Sequence, residues 1–395
     1  MNRPAPRVAA DRLSDLTQRA GRTPFYAIDS AAVFARIDAL RAVLPATLQL
    51  CYAVKANPMP ALLQCISTRL DGADVSSGGE LARALDAGFS AAHIGFTGPG
   101  KRDTELAAAI TAGVRICAES VGEIERIARI ATQQGRQARV ALRANPDFAI
   151  AGSRVRMSGD SFFGIDSAQL GSAIAAVRRH GLEFGGLHYY CASRMLDAAE
   201  IVALHARCFA EAMQIADAAD LALPWLNLGG GFGVAIADDE QPLDFVPVAA
   251  HLHTLDETLR ARHPQARLAL EPGRYLVAEA GIYVCSVIER KTVRGRTWLI
   301  VDGGAHQHLH ATLQPDRLQP SNFPMTLHAL TPTNEIERVS VAGPLCAPFD
   351  VLARDIELPH AQPGDLLVVH CSGAYGASAS PLDFLGHPHP AELLF

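Results

Sequence analysis

At 395 residues with 49% hydrophobic content, the chain exceeds one ordinary domain and has ample material for a large core, so two domains are expected. A net charge of -6 and a pI near 6.2 give no broad basic field for nucleic acid. The start, M-N-R-P-A-P-R-V-A-A-D-R, lacks the apolar stretch of about 7–15 residues that a leader needs, and no run of about 18 apolar residues follows, so a cytoplasmic protein without membrane contact is expected.

Short apolar runs alternate with helical patterns along the first two thirds of the chain. The first run, Leu48–Val54, is closed by Lys55. Gly72–Val75 predicts a second strand, followed by a helix over Glu80–Ala87; Ala92–Thr97 predicts a third, followed by a helix over Asp103–Ala112. Val114–Ala118 and Ala138–Ala144 flank a helix at Val121–Gln134, and Ser167–His180 reads as the next helix. Phe184–Tyr190 precedes a long helix at Ala198–Ala218 with Asp197 as its N-cap, and Pro224–Leu228 and Ala266–Leu270 complete eight strands. Past about Val277 the pattern changes to strand-like runs, Gly281–Lys291, Thr297–Val301, Val339–Ala342 and Asp365–Cys371.

Eight strand–helix units are the content of a TIM (β/α)8 barrel; a doubly wound sheet is the competitor, because alternation does not show closure. The expected division is an N-terminal segment 1–24 packing on the β domain, a barrel over 25–277 and a C-terminal β-rich domain over 278–395. Functional groups of such barrels lie at the C-terminal ends of the strands. Lys55, Asp74, Arg143, His188, Tyr190, Gly229–Gly231 and Glu271 all fall at such ends, so residues distant in sequence are expected to meet on one rim. A lysine at a buried strand end either snorkels to solvent or is desolvated enough to be a neutral amine that attacks a carbonyl, and the rim favours the second.

The motifs Y-A-V-K-A-N (52–57), D-V-S-S-G-G-E (74–80), G-F-T-G-P-G-K (95–101), N-L-G-G-G-F-G (227–233), E-P-G-R-Y (271–275), G-P-L-C (343–346) and S-G-A-Y-G (372–376) span almost the whole chain. In this order they resemble the fold-type III pyridoxal-phosphate decarboxylases, the ornithine and diaminopimelate decarboxylase family with an alanine racemase-like fold. The nearest likeness is to a subgroup found with exosortase systems. The resemblance implies that Lys55 forms the Schiff base with pyridoxal 5'-phosphate. It implies a phosphate cup of Gly229, Gly230, Gly231, Gly273, Arg274, Ser193 and Tyr375. Arg143 would lie near the cofactor's phenolic oxygen, and Asp74 would support the lysine. Glu271 against the pyridine nitrogen would keep it protonated and the ring electron-withdrawing, which favours decarboxylation. Racemases of this fold place an arginine there.

Cys346 resembles the cysteine that reaches across a homodimer interface and protonates Cα once carbon dioxide has left, a role that suits a thiol with a pKa near 8.5. The other seven of the eight cysteines form no C-x-x-C pair and read as reduced core thiols. Where the family has a ring-stacking histidine this chain has Tyr190, with His188 two residues earlier. Ala347 stands where an acidic residue meets a substrate's distal amine, and His310 and Gln314 stand where diaminopimelate enzymes hold a distal carboxylate. The expected substrate is therefore an amino acid or derivative other than ornithine or diaminopimelate. Ile150–Phe163 reads as an active-site loop whose Arg154 and Arg156 are candidates for a substrate anion. G-F-T-G-P-G-K-R (95–102) has P-loop spacing but lacks the Ser or Thr for magnesium, and His306, His308 and His310 lack a completing metal ligand, so neither nucleotide nor metal is expected. The sequence reads as a carboxy-lyase; a racemase of the same fold and a non-catalytic cofactor-binding regulator are the alternatives.

Overall fold

The computed structural model describes residues 8–148, 155–237, 239–312, 321–331 and 333–395, with the side chains of Val155 and Arg156 left aside. Two compact units emerge, one of Phe34–Gly233 and Pro242–Gly273, the other of Met1–Val33, Val234–Gln241 and Arg274–Phe395. This division differs from the expected boundaries at 24/25 and 277/278. The strand Phe25–Ile28, buried at all four positions, pairs antiparallel with Gly281–Val293 and parallel with Ala391–Leu394, so hydrogen bonding commits it to the β unit.

In the first unit, strands β1 (Gln49–Ala53), β2 (Gly72–Val75), β3 (Ile94–Phe96), β4 (Arg115–Ala118), β5 (Arg139–Asn145), β6 (Glu183–Tyr189), β7 (Trp225–Asn227) and β8 (Arg267–Leu270) pair in sequence order. All pairings are parallel, and β8 returns to β1 through Ala269↔Gln49 and Leu270↔Leu50, which closes the barrel. Closure is what alternation alone could not show. Helices start sharply after the strands because their caps are built in: Ser77 Oγ accepts from Glu80 N at 3.1 Å, Ser120 Oγ from Glu123 N at 3.0 Å and Asp197 Oδ1 from Ala199 N at 2.7 Å. At their other ends Gly113 and Gly135 adopt φ of 76° and 61°, the left-handed termination that turns the chain back to the next strand. Trp225, Cys117, Ala141 and Ala269 form an apolar plug inside the barrel.

The second unit is centred on the 13-residue strand Gly281–Val293, which pairs antiparallel with Arg296–Val301, Leu366–Val369 and the N-terminal strand. Ile336–Ala342 and Val351–Pro359 extend the sheet. The helix Ala10–Ala20 buries Leu13 and Leu16 against Phe25, Val284 and Val368 of this unit. No helix of the described residues is long and apolar enough to cross a membrane.

Candidate active site

Polar side chains gather at the C-terminal ends of the barrel strands, Lys55 with Asp74, Glu271 with His188 and Asn227, and Arg143 with Glu119. Lys55 does not close its strand as expected. β1 ends at Ala53, whose N–H turns away to donate to Pro272 O at 3.4 Å, and Lys55 projects from the short 3-10 turn Val54–Ala56 that follows. Gly273 makes room for that turn, because a Cβ there would crowd the Cβ atoms of Ala53 and Ala56. The Lys55 side chain is 32% exposed; its Nζ lies 3.5 Å from Asp74 Oδ2 and 4.8 Å from the centroid of the Tyr190 ring. Tyr190 itself is wedged against Gly229.

Asp74 is buried; Oδ1 accepts from Thr97 Oγ1 at 2.8 Å, while among the described residues Oδ2 has no hydrogen-bond donor. Glu271, buried where the chain leaves β8, accepts from His188 Nε2 at 3.2 Å and from Asn227 Nδ2. The two acids respond differently to the same interior. Burial and the Glu271 charge push Asp74 up to about 6, against the counter-pull of Lys55, His188 and Thr97. Burial alone would raise Glu271 too, yet His188, Lys55 and Asn227 hold it below the ordinary carboxylate range. With two carboxylates near one lysine, the first proton goes to Asp74 and Glu271 keeps its charge.

Asn227 does a second job: its Oδ1 accepts the Gly229 N–H at 2.7 Å, and Glu271 N donates to Gly229 O at 2.7 Å. Of the three glycine N–H groups expected in an anion cup, that of Gly229 already meets an acceptor. Among the described residues no acceptor meets the N–H of Gly230 or Gly231, both partly exposed. Nor is ligand approach needed to explain the three glycines. A Cβ would overlap Tyr189 O at Gly229, Glu271 O at Gly230 and Ala192 O at Gly231, so the protein's own backbone excludes side chains there. Ser193, paired with Val155 in a short two-stranded ladder, lies beside Gly231.

Arg143, in β5, is buried and donates to Glu119 Oε1 at 2.9 Å, with its guanidinium 4.7 Å from the Phe163 ring. Glu119 also accepts from Gly98 N at 2.8 Å and Gly164 N at 2.9 Å, tying the loops after β3 and β5 to Arg143. Burial opposes its ionisation, but Arg143, the Gly164 N–H and the Lys101 charge hold it below the ordinary range. Glu119, Thr97 and Asn227 are site residues that sequence reasoning missed. Each stands at a strand end, Thr97 inside the segment with P-loop spacing and Asn227 at the head of the glycine motif. Lys101 of the P-loop-like segment is spent internally, donating to Gly98 O, Cys117 O and Glu123 Oε1 at 2.7–2.9 Å.

In the β unit, the Arg274 guanidinium lies 4.5 Å from the centroid of Tyr375, and the His310 ring stacks on the same tyrosine at 5.4 Å and 29°. His308 Nε2 meets Ser372 Oγ at 2.9 Å, and the His306 ring packs on that of His387. Cys346 is exposed, whereas Cys65 is half-buried and the other six cysteines are buried. Ala347, next to it, is half-buried. Arg154 and Gln314 lie outside the described residues, and Arg156 is described only through its backbone pairing with Ala192.

The barrel cluster fits pyridoxal phosphate: a partly exposed amine, a buried carboxylate held ionised with lone pairs left for a pyridinium N–H, and two N–H groups awaiting an anion. The family profile described as "Pyridoxal-dependent decarboxylase, pyridoxal binding domain" matches residues 30–278. The chain belongs to this family. Membership makes it a carboxy-lyase that works with pyridoxal 5'-phosphate. It is 38% identical over 389 residues to the L-glutamyl-[BtrI acyl-carrier protein] decarboxylase of Niallia circulans, covering 97% of this chain and 90% of that protein. It is 32% identical to the 2-[(L-alanin-3-ylcarbamoyl)methyl]-2-hydroxybutanedioate decarboxylase of Staphylococcus aureus, covering 92% of each. The crystal structure of diaminopimelate decarboxylase from Helicobacter pylori complexed with L-lysine superposes with a TM-score of 0.86 at 26% identity, over 97% of this chain and 94% of that one. The likeness to the exosortase-associated subgroup remains a likeness of motifs.

Proposed function

We propose that the chain is a cytoplasmic homodimer that decarboxylates an amino acid whose distal end is extended through an uncharged thioester or amide. Lys55 would anchor the cofactor, and Cys346 of the partner subunit would protonate Cα. The observation that carries the reading is Glu271, kept ionised by His188 and Asn227 while Asp74 takes the first proton. When bound, pyridoxal phosphate supplies an electron sink for the pair released as the Cα–carboxylate bond breaks. Glu271 holds a proton at the pyridine nitrogen. Asp74 and Tyr190 hold Lys55 Nζ from two sides, and Arg143, oriented by Glu119, presents its guanidinium beside Phe163. Gly230 and Gly231 offer N–H donors to the phosphate; Ser193, Gly273, Arg274 and Tyr375 keep the roles their motifs imply.

The substrate class rests on the distal end. Ala347 carries no charge for a distal amine, and His310 is engaged with Tyr375 rather than standing as a free cation for a distal carboxylate. The names of the Niallia and Staphylococcus relatives describe substrates whose amino-acid side chain continues through an acyl linkage to a larger group. Carbon dioxide release from the L-glutamate γ-thioester of pantetheine, against L-glutamate, L-ornithine and meso-diaminopimelate, tests the assignment. Turnover of ornithine or diaminopimelate at ordinary enzyme rates would sink it. Borohydride reduction of the loaded protein followed by peptide mass mapping tests the anchor, because the chain has only three lysines, Lys55, Lys101 and Lys291. A label on Lys101 or Lys291 overturns it.

A further inference from the structure

Resting on the reading of Cys346 as proton donor, we propose that Asp350 is the positioning residue that fixes the Cys346 loop against the Gly303–His310 segment and thereby aims the thiol. Cys346 is exposed in a loop whose ends are anchored, with Leu345 on one side and Asp350 on the other both buried. Asp350 is 3% exposed and reaches into both chain segments at once. Its Oδ2 accepts the Leu345 N–H at 2.8 Å, directly before the cysteine, and its Oδ1 accepts the Ala305 N–H at 2.6 Å. Its backbone closes the loop as well: Gly343 N donates to Asp350 O at 3.0 Å and Asp350 N to Ala347 O at 3.1 Å.

The glycines on either side report how tightly the carboxylate is seated. A Cβ at Gly304 or at Gly343 would overlap it, so the V-D-G-G and G-P-L-C motifs are cut to its shape. From Gly304 the anchoring continues, because Gly304 O accepts the N–H of Gln307 and of His308 at 3.0 and 2.9 Å and so sets the turn that leads to His310. One buried carboxylate thus registers the proton-donor loop against the segment whose His310 faces Tyr375. Burying it costs free energy that a loop needed only as a connection would not demand; desolvation raises Asp350 despite its two backbone donors. Asparagine is the same size but offers one acceptor oxygen, so one of the two N–H groups loses its partner.

The test compares full-length wild type, Asp350→Asn and Cys346→Ser. Amide hydrogen exchange on the cofactor-free protein reads the positioning alone. Peptides bearing Leu345 or Ala305 are expected to exchange about ten-fold faster in Asp350→Asn, with Gly281–Val293 unchanged. On the loaded enzyme, amine formed per carbon dioxide released from the L-glutamate γ-thioester of pantetheine reads the aim of the proton. When carbon dioxide leaves, its electrons stay on the substrate and Cα takes the proton from the thiol, which solvent restores, so the ratio is one. It is expected to drop well below one in Cys346→Ser and to a lesser extent in Asp350→Asn, since a misplaced general acid loses part of its typical 10²–10⁴-fold advantage; the retained electron pair then takes its proton at the cofactor's carbonyl-derived carbon, and water releases the substrate skeleton as an aldehyde with its amino nitrogen left on the cofactor. A purely structural aspartate would lower both products together and leave the ratio at one, and that result with a reduced ratio in Cys346→Ser overturns the proposal. A ratio of one in Cys346→Ser overturns the proton-donor reading instead. If Asp350→Asn does not fold, Gly343→Ala, which crowds the carboxylate without removing it, is measured in the same two ways.

Discussion

Replacing Lys55 by alanine removes the ammonium 3.5 Å from Asp74, an acid already pushed up to about 6 by burial and by Glu271. At that separation and an effective dielectric of about 20 the lost attraction is at most about 5 kcal/mol. Because the lysine is 32% exposed, solvent screens much of it, leaving about 1.5–3 kcal/mol or one to two pH units. Asp74 in Lys55→Ala is therefore expected to titrate at about pH 7–8. Infrared difference spectra of the cofactor-free protein, with Asp74→Asn identifying the carboxyl band, measure the midpoint directly. The sign also appears in stability. The folded value lies above the ordinary value of about 4, so the stability that protonated Asp74 contributes is complete below about pH 4 and is lost as pH rises through about 6. The loss is about 3 kcal/mol in wild type, and it is absent from Asp74→Asn. An Asp74 midpoint that does not move when Lys55 is removed would refute the coupling and, with it, the order in which the two buried acids take their proton.

Other consequences follow from the same cluster. Asn227→Ala strips Glu271 of one donor and leaves the Gly229 N–H without its acceptor; cofactor affinity, by fluorescence titration, is expected to fall about ten-fold or more, as losing a hydrogen bond to a charged group costs about 1.5–3 kcal/mol. Unchanged affinity would separate Asn227 from the site. Glu119→Ala leaves Arg143 buried without its carboxylate and should destabilise the barrel by about 3–5 kcal/mol in a denaturant series. Glu119 is held below its ordinary range, so its stabilisation is present above that range and lost as pH falls; the wild-type–Glu119→Gln stability difference should shrink on acidification. Gly230→Ala forces a Cβ onto Glu271 O and is expected to abolish cofactor binding while far-UV circular dichroism is retained.

Much of this was legible in the amino-acid order because barrel strands are short apolar runs and their caps are local. Asp197 announces its helix directly ahead of Ala198. Lys55, Asp74, Arg143, His188 and Glu271 stood out as polar side chains at the ends of apolar runs. What stayed hidden were choices of partner. Nothing in the amino-acid order shows Asn227 Oδ1 on the Gly229 N–H or the His310 ring on Tyr375. Phe25–Ile28 is an apolar run like any other, and only its hydrogen bonds to Gly281–Val293 and Ala391–Leu394 assign it to the β unit.

The eight-strand alternation, the cofactor class and the residue types at the rim are readable in the amino-acid order, because periodicity, capping and motif order are local or contiguous properties of a chain. Barrel closure, the pairing of Glu271 with His188 and Asn227, the seat of Asp350 between two glycines and the order in which the buried acids take a proton emerge only from the folded chain. Those depend on distances between residues tens to hundreds of positions apart and on how much water remains around them, and a carboxylate's charge in a protein interior is set by both.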